Sequence, residues 1–274
     1  MKTIIVAGFV FLVSVSLHAQ EKDQFLSFTA GGGLHGLSYS TPGGTQQNRL
    51  GYTFDIGYSY FFSANWGARC GLGIQSSGAR STLNFQSAKS ATDADGDHYE
   101  FRSKYTNWQE KQQVLFLDIP LVAQYRRAVG KKIDLLGSLG VQLSLPVHSR
   151  FKTTGGEIVT TGYYSQWNVE LSDLPRHGFT TITDSYNGKL SLRPSYMAIA
   201  DIGGLYTLSP KVDLYLGAYI NYGLNNALKT DTKDIYELNG VYNGVLASTQ
   251  TTKLTPVSVG IKVGAYFHLA KKRK

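Results

Sequence analysis

The sequence predicts an all-β chain, an antiparallel up-and-down transmembrane β-barrel of about eight strands with long extracellular loops and short periplasmic turns. Three observations predict it. Apolar and polar residues alternate with period two through eight segments, as half-exposed strands do. The connections between those segments alternate short and long. After the N-terminal segment, no apolar run approaches the ~20 residues that a spanning helix needs; the most apolar one, Val114 to Ala123, is interrupted by Asp118 and Pro120.

Composition agrees. The 274 residues include 30 Gly, 18 Tyr and 13 Phe but only 2 Met. Aromatic residues favour strands, and Gly marks turns, bulges and crowded interiors. A single Cys70 excludes an intrachain disulfide. An exported chain of this size must then gain its stability elsewhere, and a closed barrel in a membrane supplies it. The net charge of +8 is spread along the chain apart from Lys271-Lys272-Arg273-Lys274. That tail reads as a solvated end, and no nucleic-acid partner is implied.

The N-terminus reads as an export signal. Lys2 gives a positive start, Ile4 to Leu17 an apolar stretch, and Leu17-His18-Ala19 a cleavage site. No Cys follows, which argues against a lipoprotein signal. Residues 1–19 are expected to be removed, leaving one barrel domain over residues 20–274.

The strands follow in order. Leu26 to Leu34 is rich in Gly. Tyr52 to Tyr60 sets Tyr52, Phe54, Ile56, Tyr58 and Tyr60 against Thr53, Asp55, Gly57 and Ser59. Trp66 to Gln75 opposes Trp66, Ala68, Cys70, Leu72 and Ile74 to Gly67, Arg69, Gly71 and Gly73. Leu115 to Tyr125 carries Asp118 and Gln124 on its polar face. Ile133 to Val147 carries Asp134, Ser138 and Gln142. Tyr196 to Leu208 sets Asp201 opposite Ala198, Ala200 and Ile202. Val212 to Tyr222 places Asp213, Tyr215, Gly217 and Tyr219 together. Val257 to Leu269 alternates without a break, with Lys262 on its polar face. That length suits a tilted membrane strand of ~9–11 residues plus a rim extension.

Loop lengths choose between a barrel and a soluble sandwich. Phe62 to Asn65, Arg127 to Lys131 and Ser209 to Lys211 are tight. Ser40 to Asn48, Ser87 to His98, Arg150 to Lys189 and Lys229 to Thr251 are longer and polar. Short periplasmic turns with long outer loops are the outer-membrane pattern, and a sandwich has no reason to sort its loops so. Tyr99 to Trp108 and Ile158 to Val169 are themselves strand-like, so some hairpins are expected to rise above the membrane as paired extensions.

With the apolar face toward lipid, Asp55, Arg69, Asp118, Asp134, Asp201, Asp213 and Lys262 point inward. The bore of an eight-stranded barrel is just wide enough for side chains to fill. Buried carboxylates need partners there, and Arg69 and Lys262 are the expected ones. The set reads as a salt-bridged plug, with the lining of a narrow pore as the alternative.

Other chemistry is sparsely signalled. Asp93-Ala-Asp95-Gly-Asp97 opens like a calcium loop, but His98 and Lys104 stand where Gly and an acidic residue are needed. It reads as a surface turn, with weak cation binding left open. His148 with Ser149, His98 with Asp97, and His177 with Asp173 are Ser, His and Asp groupings of the kind rim lipid enzymes use, yet none lies in a nucleophile motif. Cys70 falls on the apolar face and reads as packing. Gly31-Gly32-Gly33 has no following Lys-Ser or Lys-Thr and is not a phosphate loop. No cofactor or metal is expected.

The segment Phe116-Leu-Asp-Ile-Pro-Leu121, followed by Val122-Ala-Gln-Tyr125, resembles a strand of the single-domain outer membrane protein β-barrel family, related to PorT-type and OmpA-like N-terminal barrels. The Gly/aromatic first strand and the closing Gly260 to Phe267 are similar to it too. The resemblance implies the outer membrane of a Gram-negative bacterium, contact with its lipids, and handling by the β-barrel assembly machinery. One departure is that Phe267 is followed by His268 to Lys274, whereas such barrels often end on an aromatic residue that this machinery reads. The cell-wall tether of full OmpA-like proteins is not implied.

Three function classes follow. The first is a non-catalytic structural or surface-binding barrel with a plugged polar interior, whose outer loops meet an extracellular protein or glycan. The second is a narrow pore for small solutes or ions, and the third an envelope lipid-modifying enzyme. The Tyr, Thr, Asn and Trp167 of the long loops favour the first, because such residues give adaptable contacts at modest entropic cost.

Overall fold

The computed structural model describes residues 23–229 and 233–269. The expected export signal and the tail Lys271–Lys274 lie outside the described residues. The main strands are β1 (Gln24–Tyr39), β2 (Gly44–Phe61), β3 (Trp66–Thr92), β4 (His98–Ala128) and β5 (Ile133–Tyr164). Three short strands follow, β6 (Val169–Leu171), β7 (Thr181–Ile182) and β8 (Asn187–Lys189), and then β9 (Ser195–Ser209), β10 (Val212–Gly223) and β11 (Leu254–His268). Each of the eight predicted segments lies in a different long strand.

Those eight strands form a closed antiparallel ring in the order β1-β2-β3-β4-β5-β9-β10-β11, and β11 returns to β1. The short β6, β7 and β8 all pair with β5 above the ring. Closure leaves the ring itself no open sheet edge, so backbone donors and acceptors are satisfied within it. The closing seam runs from Phe25 opposite His268 to Tyr39 opposite Leu254. At Gly33 the seam is so close that an added Cβ would stand 2.1 Å from the Val259 carbonyl oxygen.

The period-two pattern decides which face is which. Phe54, Ile56, Leu72, Leu121, Leu139, Val141, Ile202, Leu216, Ile261 and Val263 all point out of the ring and are exposed. Their strand neighbours Ser27, Thr53, Ser59, Arg69, Gln75, Asp118, Gln124, Ser138, Gln142 and Asp213 point inward and are buried. A water-soluble barrel is built the other way round, so the ring wears its apolar belt outside. At the short-turn end the belt is rimmed by Phe62, Trp66, Tyr125 and Tyr206, with the Trp66 and Tyr125 rings 5.0 Å apart.

The connections differ from expectation. The segments Ser87 to His98 and Arg150 to Lys189, expected as loops, are largely strand. β3 continues to Thr92 and pairs with Tyr99–Arg102, so only residues 93–97 turn. β5 continues to Tyr164 against β4, as the strand-like runs at Tyr99 and Ile158 predicted. The wall is therefore uneven: β3, β4 and β5 have 27, 31 and 32 residues, whereas β10 has 12 and β11 has 15.

Candidate functional site

The interior is filled in three tiers. At the short-turn end, Phe25, Phe61, Leu136, Leu205, Tyr215 and Tyr266 form an apolar cluster. The Arg126 guanidinium lies over the Phe61 ring at 4.4 Å and pairs with Asp23. At this level Asp134 stands 3.9 Å from Arg126, and Asp213 accepts a hydrogen bond from His268 at 2.9 Å when that ring nitrogen carries the proton.

The middle tier is polar. Arg69 pairs with Asp55 and donates to Ser27 Oγ at 3.3 Å, and Thr29 donates to the other Asp55 oxygen. Lys262 Nζ approaches Asp55 at 3.7 Å and lies 5.3 Å from the Tyr219 ring centre. Gly57 makes room for Arg69, since a Cβ there would sit 2.3 Å from its Nε. Asp201 accepts from Tyr215 at 2.9 Å and Ser138 at 3.2 Å. Asp118 faces Gln142, and the space enclosed by Asp55, Arg69, Asp118, Gln142, Asp201 and Lys262 has a volume of about 30 Å³. That holds a single water and little more.

All seven residues singled out from the sequence thus lie on the inward face, but they do not form one network. Asp55, Arg69, Asp118, Asp201 and Lys262 meet in the middle tier. Asp134 and Asp213 sit nearer the turn end and use Arg126 and His268, not Arg69 and Lys262. Both partners could have been found: Arg126 shares the face of Asp118 and Gln124, and His268 shares that of Lys262.

The third tier plugs the long-loop end, and sequence reasoning missed it. Of the segment between β10 and β11, expected as a long polar loop over Lys229 to Thr251, the described residues from 233 on carry a short 3-10 turn at Val245–Ala247 and fold into the mouth. Its Leu228, Ile235, Tyr242, Val245 and Leu246 join Leu37, Leu83, Trp108, Val114, Phe116, Phe151, Ile158 and Leu254 in one buried apolar core. The clasp is Glu110, fully buried on the inward face of β4. It accepts hydrogen bonds from Tyr242 Oη at 2.7 Å, Gln112 Nε2 at 2.8 Å and the Val245 amide at 3.2 Å. Trp108 Nε1 donates to Tyr242 Oη at 2.9 Å. Burial pushes the Glu110 carboxyl up to about 6, against the pull of its three donors. The one signal for this plug was the apolar content of a supposed outer loop.

Several of the remaining candidates have structural partners. Asp93 Oδ1 accepts from the amides of Asp95 and Asp97 at 3.0 and 2.9 Å, while Tyr164 donates to Oδ2, so this carboxylate holds its own turn. Ser149 Oγ donates to the Leu190 carbonyl at 2.7 Å, and His98 Nδ1 lies 3.0 Å from Thr92 Oγ1. His177 lies against the Phe179 ring.

A closed ring of eight strands, apolar outside and polar within, is the geometry of a protein that crosses a membrane with strands. A family model described as the outer membrane protein beta-barrel domain matches residues 7–173. The chain belongs to that family. Its place is the outer membrane of a Gram-negative bacterium. Among solved structures the barrel is similar to OprG from Pseudomonas aeruginosa, at 12% identity and a TM-score of 0.37, covering 92% of this chain and 94% of that one. It is also similar to Ail of Yersinia pestis, a protein solved in complex with the heparin analogue sucrose octasulfate, at 11% identity and a TM-score of 0.30, covering 91% and 100%. The outer membrane protease OmpT from Escherichia coli is a third, at 10% identity and a TM-score of 0.32, covering 90% and 96%. Among curated proteins, none matches the sequence.

Proposed function

We propose that this outer-membrane barrel is a closed, non-catalytic scaffold whose interior holds the fold together and whose tall outer hairpins meet extracellular partners. One observation carries the reading: beneath the clasped loop, the cavity among the charged residues of the polar tier has a volume of only about 30 Å³. A hydrated ion passing through needs more room than that. The inward charges act as mutual counter-ions in a narrow bore, where each would be costly alone. The partner surface is the tip formed by β5 and β6, where Tyr163, Trp167 and Val169 surround the turn and Trp167 and Val169 are exposed. Exposed aromatic residues beside hydroxyl groups suit a glycan or protein surface.

The test is planar-bilayer conductance of the refolded protein, with Lys262→Ala alongside. Silence from both, in samples whose heat-modifiable gel mobility shows a folded barrel, is the expected result. Stable conductance steps whose ion selectivity changes with Lys262→Ala would replace this reading with a pore. The partner surface is tested by binding of the purified barrel to arrayed glycans and extracellular proteins. Binding that disappears in Trp167→Ala with unchanged barrel melting supports the tip, and binding indifferent to Trp167 places the partner elsewhere.

A further inference from the structure

Just above the apolar belt, on the outer face of the tall wall, the strands carry two rows of cations. In the upper row Arg80 on β3 stands directly opposite Lys111 on β4, and Lys111 opposite Lys152 on β5. In the lower row Gln113 is opposite Arg150, and Arg150 opposite Lys189 on β8. Arg49 joins from β2, next to Gly78. Arg49, Lys111, Arg150, Lys152 and Lys189 line one open groove of about 550 Å³, and no Asp or Glu lines it. Among the described residues none of these six cations has a carboxylate partner. Only Arg150 has a neutral one, Gln113 Oε1 at 3.0 Å.

Such an arrangement is costly by itself. Directly opposite residues on antiparallel strands hold their Cβ atoms ~4.5–5.5 Å apart, and like charges there repel. Arg80–Lys111, Lys111–Lys152 and Arg150–Lys189 are three such pairs. On the same wall Arg102, by contrast, is paired with Glu100. Height decides what lies opposite this band. Passing down the strands, apolar residues follow: Leu50 after Arg49, Leu115 below Gln113, and exposed Val147 beyond exposed His148 below Arg150. The cations therefore stand where acyl chains end and headgroups begin.

We propose that this band binds the phosphate groups of outer-leaflet lipid headgroups, with phosphate oxygens bridging the opposed cations. Arginine binds phosphate in bidentate fashion and lysine as a point charge, and both charge types are present in the lower row. The anion removes the cross-strand repulsion that the protein leaves uncompensated.

The experiment refolds the full chain into phosphatidylcholine vesicles with or without diphosphorylated lipid A. It follows the midpoint of the heat-modifiable gel transition and lipid retention by native mass spectrometry. Lys111→Gln, Arg150→Gln, Lys152→Gln and Lys189→Gln are combined in one variant. A control neutralises Lys104, Lys131, Lys132 and Lys211, which lie outside the band. Lipid A is expected to raise the wild-type midpoint and to be retained. The band variant should lose the rise and retain lipid A about tenfold less or weaker, while the control keeps both. In phosphatidylcholine alone the band variant should melt above the wild type, because its repulsion is gone. Dephosphorylated lipid A should leave the wild type unmoved. Equal responses of band variant and control would overturn the proposal. So would a full effect from dephosphorylated lipid, or from inorganic phosphate added to phosphatidylcholine vesicles, which would make the ligand a free anion. If the band variant does not fold, added sodium chloride decides. It should raise the wild-type midpoint in phosphatidylcholine by screening the opposed cations, and an unchanged midpoint would refute the idea.

Discussion

Replacing Tyr242 with Phe tests the plug with a change of one oxygen atom. In the wild type that hydroxyl donates to Glu110 at 2.7 Å and accepts from Trp108 Nε1 at 2.9 Å, inside a core that excludes water. The ring of Tyr242 would keep its packing against Tyr186 and Phe151. The variant loses a hydrogen bond to a carboxylate, worth ~1.5–3 kcal/mol, and leaves a buried indole donor unpaired at a further ~1–3 kcal/mol. A loss of about 3 kcal/mol in docking of the loop is a conservative sum, and it raises the undocked population by about 150-fold. Hydrogen exchange of the Val245 amide reads this directly, because that amide donates to Glu110 only while the loop is docked. At pH 7.5 its protection should fall by about two orders of magnitude, while amides in the middle of β10 and β11 stay unchanged. Unchanged protection at Val245 would show that apolar burial alone holds the loop, and the clasp would lose its meaning.

Three further outcomes follow from the same geometry. The docked loop holds a proton on Glu110 that the undocked loop releases between about 4.5 and 6; docking is therefore strongest below that window and weakens by up to about 2 kcal/mol as pH rises through it, and Glu110→Gln should flatten this slope in Val245 exchange. Arg69→Met strips Asp55 of its main partner and should cost about 3–5 kcal/mol, read as a lower midpoint of the heat-modifiable transition, with Asp55→Asn in the same chain restoring part of it. Gly33→Val forces a branched side chain against the Val259 carbonyl at the closing seam, so refolding into vesicles should give little of the compact gel species, whereas Val259→Ala on the lipid face should refold normally.

The eight membrane-crossing segments were legible because one physical rule governs all of them: lipid on one face and a crowded polar bore on the other imprint a strict period of two. Asp55, Arg69, Asp118, Asp201 and Lys262 could be placed inside from that rule alone. Above the membrane the rule lapses. Ser87-Ala88-Lys89-Ser90 has little strand propensity, and it extends β3 only because Phe101 and its neighbours on β4 offer a partner edge. The plug was hidden for a related reason. Leu228, Ile235, Tyr242, Val245 and Leu246 are scattered over an irregular segment with no period, and their common burial depends on contacts with β4 and β5 distant in sequence. Glu110 gave no signal as a lone carboxylate among Gln and Lys, since its meaning comes from a loop more than a hundred residues away.

The uneven wall has a consequence for how the molecule stands among its neighbours. The 20-residue difference between β5 and β10 corresponds to about 65 Å along a strand, or about 50 Å of height at the usual tilt. On the β9-β10-β11-β1 side the barrel ends close to the membrane surface, and another membrane protein can come alongside it unobstructed. On the β3-β4-β5 side a stiff ribbon stands far proud of the bilayer and fends off anything broad. Crowded in a membrane, such molecules have a back and a front: lateral contacts are confined to the low flank, while whatever touches the cell from outside meets the ribbon first.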